Sequence, residues 1–287
     1  MIPSPVASRH PLPVGAGRIA DPVFLLQPDR SYHFMRAFCL WSIMQSMKVS
    51  IVIPAFNEER LIGETLACVK DGMAEFAGRG FDTELIVCDN NSTDRTAELA
   101  RAAGATVVFE PINQIARARN SGAAAASGDW LIFVDADSKP SRELFGDVAE
   151  QIVSGKCLAG GVTVTLDGQH RFIRRATFIW NGISRACHWF AGSFIFCNAE
   201  SFRTVGGFSS ELFVAEEIDL SKRLKRLARA TGKRVVILHR HPMVTSARKM
   251  ELYSKREHLR FLANTLLRGG RIAKDRESCH PWYDGRR

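Results

Sequence analysis

Residues 130–138 read WLIFVDADS, an apolar run that closes on two carboxylates, Asp135 and Asp137, with a single alanine between them. A short continuous run of bulky residues fits a strand buried on both faces. The i, i+2 spacing places both carboxylates on one face of an extended segment. Two such charges repel unless a cation lies between or beside them. A hard divalent ion, Mg²⁺ or Mn²⁺, suits oxygen ligands that leave room for phosphate.

Upstream, strand patterns at 49–55 (VSIVIPA), 84–89 (ELIVCD) and 106–110 (TVVFE) alternate with helical spacing at 58–76, near 92–104 and at 113–128. With 130–135 as a fourth strand, this alternation predicts parallel pairing with helices on both faces, an α/β fold. Open sheets of this kind bind ligands at the carboxyl ends of their strands. The sequence is polar at those ends. The first strand runs into Pro54, Ala55, Phe56, Asn57 and Glu58; the second ends in Asp89, Asn90 and Asn91; the fourth ends in Asp135 and Asp137. Each residue alone has a structural explanation, since Asn57, Ser92 and Asp94 all suit helix caps, and capping is the better account of Asp94. It explains less of the paired aspartates.

Missing motifs narrow the chemistry. No G-x-G-x-x-G opens a helix after the first strand, and neither G-x-x-x-x-G-K-[ST] nor G-x-S-x-G occurs. A dinucleotide fingerprint, a phosphate-cradling loop and a nucleophile elbow are therefore set aside. A diphosphate bound here needs a metal rather than a glycine nest.

Three segments in order, VSIVIPAFNEE, ELIVCDNNSTDRT and ARARNSGAAAASGDWLIFVDADS, resemble the nucleotide-binding half of family 2 glycosyltransferases of the GT-A fold. The resemblance spans roughly residues 48–155 and implies a mostly parallel central sheet flanked by helices in a single globular domain. It also implies a nucleotide-diphosphate sugar donor, a divalent metal, and inversion at the anomeric centre by direct displacement. Pro54, Ala55, Asn57 and Glu58 would line the nucleoside pocket, with Asp89 bonding the base and Asn91 also at the nucleotide. Asp135 would lie near the ribose and Asp137 would hold Mn²⁺ or Mg²⁺ on the diphosphate. Arg117 would meet donor phosphate or sugar, with Arg119 its rival.

The second half supplies the acceptor side. Residues 157–168 read as a strand or paired strands, and 170–190 as an amphipathic segment with two tryptophans. Residues 191–228 resemble the family's acceptor region: a glycine-containing turn, a strand, a V-G-G-F turn, then an acidic pair opening a helix. The family form is Glu-Asp followed one residue later by Asp-Leu. Here the residues are Glu216, Glu217, Ile218, Asp219 and Leu220, so Glu217, one methylene longer, stands where the family has its catalytic aspartate. An acceptor hydroxyl needs such a base as the new C–O bond forms. A helix dipole lowers its basicity, and burial against Trp189 or Phe213 restores it. The alternative is an ordinary first-turn acid; the upstream motifs favour the base. His241, ahead of His239, is the candidate third metal ligand, just after the strand RVVIL (234–238) and leading into PMVTSARK. Arg248 in that stretch is a further phosphate candidate.

Composition bounds the rest. Residues 1–46 are rich in Pro, Gly and Ser near the start and hold no sustained period, so they read as an extension outside the fold. An anchor built on Phe34, Phe38, Leu40 and Trp41 is the alternative. The donor half then runs over 47–155, the acceptor half over 156–247, and a basic helix and tail over 248–287. That tail holds eleven Lys or Arg against five Asp or Glu, +6 of the chain's total +9. It fits either a membrane-surface contact or a helix packed on the domain with a solvated basic face. No nucleic-acid module accompanies the charge. Seven scattered cysteines without a C-x-x-C pair argue against a disulfide framework and fit a reducing cytoplasm. No apolar stretch approaches the ~18–20 residues that span a bilayer. The expectation is a cytoplasmic, or inner-face membrane-associated, metal-dependent glycosyltransferase acting on a lipid-linked, glycan or small-molecule acceptor. A sugar-phosphate nucleotidyltransferase and a silent nucleotide-sugar-binding protein are the rivals.

Overall fold

Parallel strands buried on both faces need apolar side chains at every position, and this chain supplies them in register. Lys48–Ala55 (β1) sends Val49, Ile51 and Ile53 into one core cluster and Val52 into the other. Trp130–Val134 (β4) does likewise, with Trp130, Ile132 and Val134 on one side and Leu131 and Phe133 on the other. The alternation is the two-residue period of a strand covered on both faces. The computed structural model describes residues 47–167, 171–246, 248 and 273–275. The extension expected over 1–46 and most of the basic segment expected over 248–287 lie outside these described residues.

The remaining elements, in chain order, are Ile62–Ala77 (α1), Asp82–Asp89 (β2), Thr96–Ala102 (α2), Thr106–Phe109 (β3), Ile115–Ala125 (α3), Ser138–Lys139 (β5), Arg142–Val153 (α4), Cys157–Leu166 (β6), Arg171–Cys187 (α5), Phe194–Asn198 (β7), Ala199–Thr204 (α6), Glu216–Ala230 (α7) and Arg234–Thr245 (β8). They build one sheet in the order β3-β2-β1-β4-β7-β6-β8-β5. The first four strands are parallel, β7 is antiparallel to both its neighbours, β6 and β8 are parallel, and β5 closes the far edge antiparallel to β8. This is the mostly parallel α/β architecture expected from the sequence.

Helices cover both faces. Ile62, Leu66 and Phe76 of α1 and Leu144, Phe145 and Val148 of α4 fill one cluster, where Phe76 and Phe145 meet edge to face at 5.8 Å. Alanines of α3, with Phe202 of α6 and Leu220 and Leu224 of α7, fill the other. Each fully buried Phe or Leu contributes about 1.5–3 kcal/mol.

Two boundaries differ from the sequence reading. The first helix starts at Ile62 rather than near residue 58, because Glu58 is held outside it as the turn acceptor for Leu61 and Ile62 N–H. The last strand does not stop at Leu238 but continues to Thr245. Val162 pairs with Leu238 and Val164 with Met243, so His239–Pro242 bulge out opposite a single residue of β6. A bulge accommodates a proline that a regular ladder would reject.

Glu84 of β2 ties the amino end of this sheet. It accepts from Ser50 Oγ at 2.5 Å and Ser127 N–H at 2.7 Å, and pairs with Lys48 Nζ at 2.8 Å. Desolvation pushes its pKa up, but Lys48, then Ser50 and Ser127, win and hold it near about 2. A depressed folded-state value means the stabilisation is present above the ordinary value of 4.5 and is lost as pH falls toward about 2. Glu84→Gln is expected to lower stability by about 2 kcal/mol at neutral pH. In urea denaturation the gap to wild type should close as the pH is lowered below that ordinary value.

Candidate active site

Small residues on α3 set the site. Ala116, Gly122 and Ala123 press the helix onto the sheet, and a Cβ at Gly122 would fall 2.4 Å from Val52 Cγ1. That close seating drives Arg119, on the same face, beneath the surface, where it is 1% exposed. Its Nη2 donates to Asp135 Oδ1 and to the Gly192 carbonyl, both at 2.9 Å, and its Nη1 donates to Glu216 Oε1 at 2.7 Å. The guanidinium carbon lies 5.1 Å from the Phe208 ring centre. Burial opposes the charge, but Asp135 and then Glu216 and Glu217 outweigh it, so the Arg119 pKa is raised and the cation is permanent.

Three strand ends and one helix start converge around this cation. Asp135 leaves β4 with its N–H donating to the Ser193 carbonyl at 3.2 Å. Asp137 is buried, with Ser138 Oγ and Thr245 Oγ1 each 3.5 Å from its Oδ1, and its carbonyl accepts from Ser246 N–H at 3.2 Å. Ala215 precedes α7 in a left-handed conformation, φ 61°. Such strain in a non-glycine residue is typical of positions that aim functional groups. Here it turns Glu216 inward onto Arg119 and brings Glu217 to the Gly192 backbone, where an added Cβ would lie 3.9 Å from the Glu217 carboxyl carbon. A cleft of about 270 Å³ results, lined by Arg119, Asp135, Asp137, Ser193, Phe213 and Glu217 among others. Desolvation, then the Glu216 charge, raises the Glu217 pKa against the pull of Arg119, to about 8.

Beside the cleft, β1 and β2 end in register with Ala55 opposite Asp89. Pro54 and Ala55 are buried. Asn57 adopts φ 52°; its N–H donates to Ser92 Oγ at 3.0 Å and its Oδ1 accepts from Thr93 N–H at 2.8 Å. Asp89 Oδ1 accepts from Ser92 N–H at 3.0 Å, and Asn91, at φ 65°, is exposed. Asp94 accepts from Thr96 N–H at 2.9 Å, although the residue that caps α2 is Arg95, whose side chain makes no cap bond. Glu58 is buried, and both of its oxygens accept from Arg248 Nη2, at 2.7 and 2.8 Å.

The structure brings Asp135, Asp137 and Glu217 together but sends two expected residues elsewhere. Arg117 Nε lies 3.2 Å from Glu110 Oε1 beyond β3, and Arg119 rather than Arg117 enters the cleft. His241 sits in the β8 bulge, 3.1 Å from Asp147 Oδ2 on α4, and is not among the cleft-lining residues. Four residues of strand, about 13 Å, separate it from Thr245, which does line the cleft. Of the two aromatic residues expected near Glu217, Phe213 lines the cleft, whereas Trp189 lies under Lys222 Nζ at 5.4 Å. Thr245 and Ser193 were not singled out by the sequence reading; no local pattern marks a hydroxyl that long-range pairing brings in. Arg119 did carry a signal, since Ala116, Arg119 and Ala123 share one helical face.

The mostly parallel sheet brings these acidic strand ends to one cleft, the place where open α/β sheets bind their ligands. The sequence model described as glycosyl transferase family 2 matches residues 50–214, over half of the chain, and the chain belongs to that family. A dolichol-phosphate mannosyltransferase from Pyrococcus furiosus is 29% identical over 123 residues, covering 40% of this chain and 33% of the relative. An undecaprenyl-phosphate 4-deoxy-4-formamido-L-arabinose transferase from Pseudomonas aeruginosa is 34% identical over 126 residues, 40% of this chain and 35% of the relative. The chain thus spans about a third of the length of these curated relatives. Glucosyl-3-phosphoglycerate synthase from Mycobacterium tuberculosis, solved with Mn²⁺, uridine diphosphate and phosphoglyceric acid, superposes with a TM-score of 0.54. It shares 20% identity, with 79% of this chain and 78% of that one covered, and so shares the fold.

Removing the buried cation should be costly. Arg119→Met removes the buried cation that Asp135 and Glu216 share and is expected to lose about 3–5 kcal/mol in chemical denaturation. Arg119→Lys keeps the charge without the fork and should fall between the two.

Proposed function

We propose that the protein transfers a sugar from a nucleoside-diphosphate sugar to an acceptor hydroxyl with inversion, and that Glu217 is the general base. The observation that carries this is geometric: Glu217 lines one cleft with Asp135, Asp137 and Arg119 and lies against the Gly192 backbone, where burial and the Glu216 charge raise its proton affinity toward working pH. Glu217 takes the acceptor proton while the hydroxyl oxygen attacks the anomeric carbon, and the bond to the diphosphate breaks on the opposite side. Arg119 fixes Asp135 and Glu216, so neither drifts toward Glu217 and quenches its position. Asp135 lies where a ribose or sugar hydroxyl would meet it, and Asp89, Asn57 and Asn91 frame the nucleoside end.

The donor set suits a hard divalent ion. Among the described residues no group of three or more His, Cys, Asp or Glu side chains forms a metal cage. Asp137, with the Ser138 and Thr245 hydroxyls at 3.5 Å, offers oxygen donors only, and the buried Ser193 Oγ has no protein partner. Such a partial shell fits Mg²⁺ or Mn²⁺, which keep several sites for water and phosphate oxygens. The ion, when bound, would offset the charge that builds on the departing diphosphate. His241, committed to Asp147, is left out of this shell. The Mn²⁺ and uridine diphosphate bound by the mycobacterial structure support this class of donor and metal.

Glu217→Gln should lower turnover by about 10²–10⁴-fold while leaving nucleotide affinity nearly unchanged. Because the base acts deprotonated, wild-type turnover should rise with pH and level off above about 8. A flat profile, or a glutamine variant with full turnover, removes Glu217 from the role. Asp137→Ala should abolish the extra Tm increase that uridine diphosphate gives when Mn²⁺ is added, read by thermal shift.

A further inference from the structure

Helix α5 contains no acidic residue, and four of its seventeen positions are arginine: Arg171, Arg174, Arg175 and Arg185. One face is anchored. Asn181 accepts from Val164 N–H at 3.0 Å and donates to the Val164 carbonyl at 2.9 Å, Ser184 Oγ donates to the Trp189 carbonyl at 2.6 Å, and Trp180 packs on the core. The opposite face is apolar and bare, with Phe178 81%, Ile179 62% and Ile183 41% exposed. Arg174, Arg175 and Arg185 are exposed around them. At the helix end, Lys225 donates to the Cys187 carbonyl and Lys222 covers Trp189.

Single exposed apolar residues need no partner, but three large ones within two turns, on a helix whose charged residues are all arginine, are a different matter. A helix of this make-up lies flat in a lipid interface, its apolar side chains among acyl chains and its arginines on anionic headgroups. The complete lack of acidic groups on the helix selects a negatively charged surface over a neutral one. The position of the helix adds direction. It departs from β6 just after Leu166, which pairs with the cleft residue Thr245, and the chain returns to the sheet through Gly192 and Ser193, also in the cleft. Among the described residues no helix is long and apolar enough to cross a membrane.

We propose that the exposed face of α5 docks on an anionic lipid surface and presents the cleft to an acceptor carried there. The acceptor clause rests on the transfer reaction above; the docking clause does not. The full chain is sedimented with vesicles of phosphatidylcholine alone and of phosphatidylcholine with phosphatidylserine. Wild type is expected to bind only the anionic vesicles, less tightly as salt is raised. Phe178→Glu/Ile179→Glu should bind at least about tenfold more weakly. Arg174→Glu/Arg175→Glu, an independent change of exposed side chains, should lose about fivefold or more per arginine. Both variants should keep the wild-type thermal shift with uridine diphosphate and Mn²⁺, which establishes that they are folded. Binding that is unaltered in both variants, or no wild-type binding to anionic vesicles, overturns docking through α5. A wild-type dimer in sedimentation equilibrium that Phe178→Glu/Ile179→Glu dissociates also overturns it, assigning the face to a second copy. If vesicle binding depends on α5 while no sugar nucleotide is turned over, docking stands and the transfer reading falls.

Discussion

A single buried guanidinium organises the cleft of this protein. Arg119 makes charge-assisted bonds to Asp135 from β4, to Glu216 from α7 and to the Gly192 carbonyl before β7. Those three elements belong to different stretches of chain, and β4 and β7 also pair antiparallel in the sheet. A buried ion network contributes little net stability when complete, yet is costly when one member is lost. Its value here is positional: it fixes the aspartate and the acidic helix start relative to each other while leaving Glu217 to face the cleft. The strained Ala215 is tolerable because that network holds the turn from the inside.

The environment then divides labour between adjacent glutamates. Glu216 is neutralised by Arg119 and serves as a strut. Glu217, one residue on, meets the same cation less directly, feels the charge of Glu216, and is partly removed from water. Identical side chains thereby acquire different environments, one held in an ion pair and the other with its proton affinity raised.

Much of the architecture was legible because it depends on local periodicity. The four parallel strands of the donor half, their helices and the acidic strand ends follow from apolar runs interrupted by turn residues. Asp135, Asp137 and Glu217 were recoverable from spacing and motif order. The misplacements have specific physical causes. Arg117 and Arg119 are two residues apart on a helix, so only the packing of Ala116 and Ala123 decides which one turns inward. His241 reads as a residue just past a strand because the apolar run RVVIL stops at 238. The bulge opposite Thr163 carries the strand past it and leaves the imidazole facing Asp147. Thr245 and Ser193 reach the cleft through strand pairing across the sheet, which no short window of sequence encodes.

The tight seating of α3 ties fold integrity to catalytic geometry. Because Gly122 touches Val52 with no room for a methyl group, any enlargement there must lift the helix and carry Arg119 with it. Packing and charge placement on this helix therefore cannot drift independently.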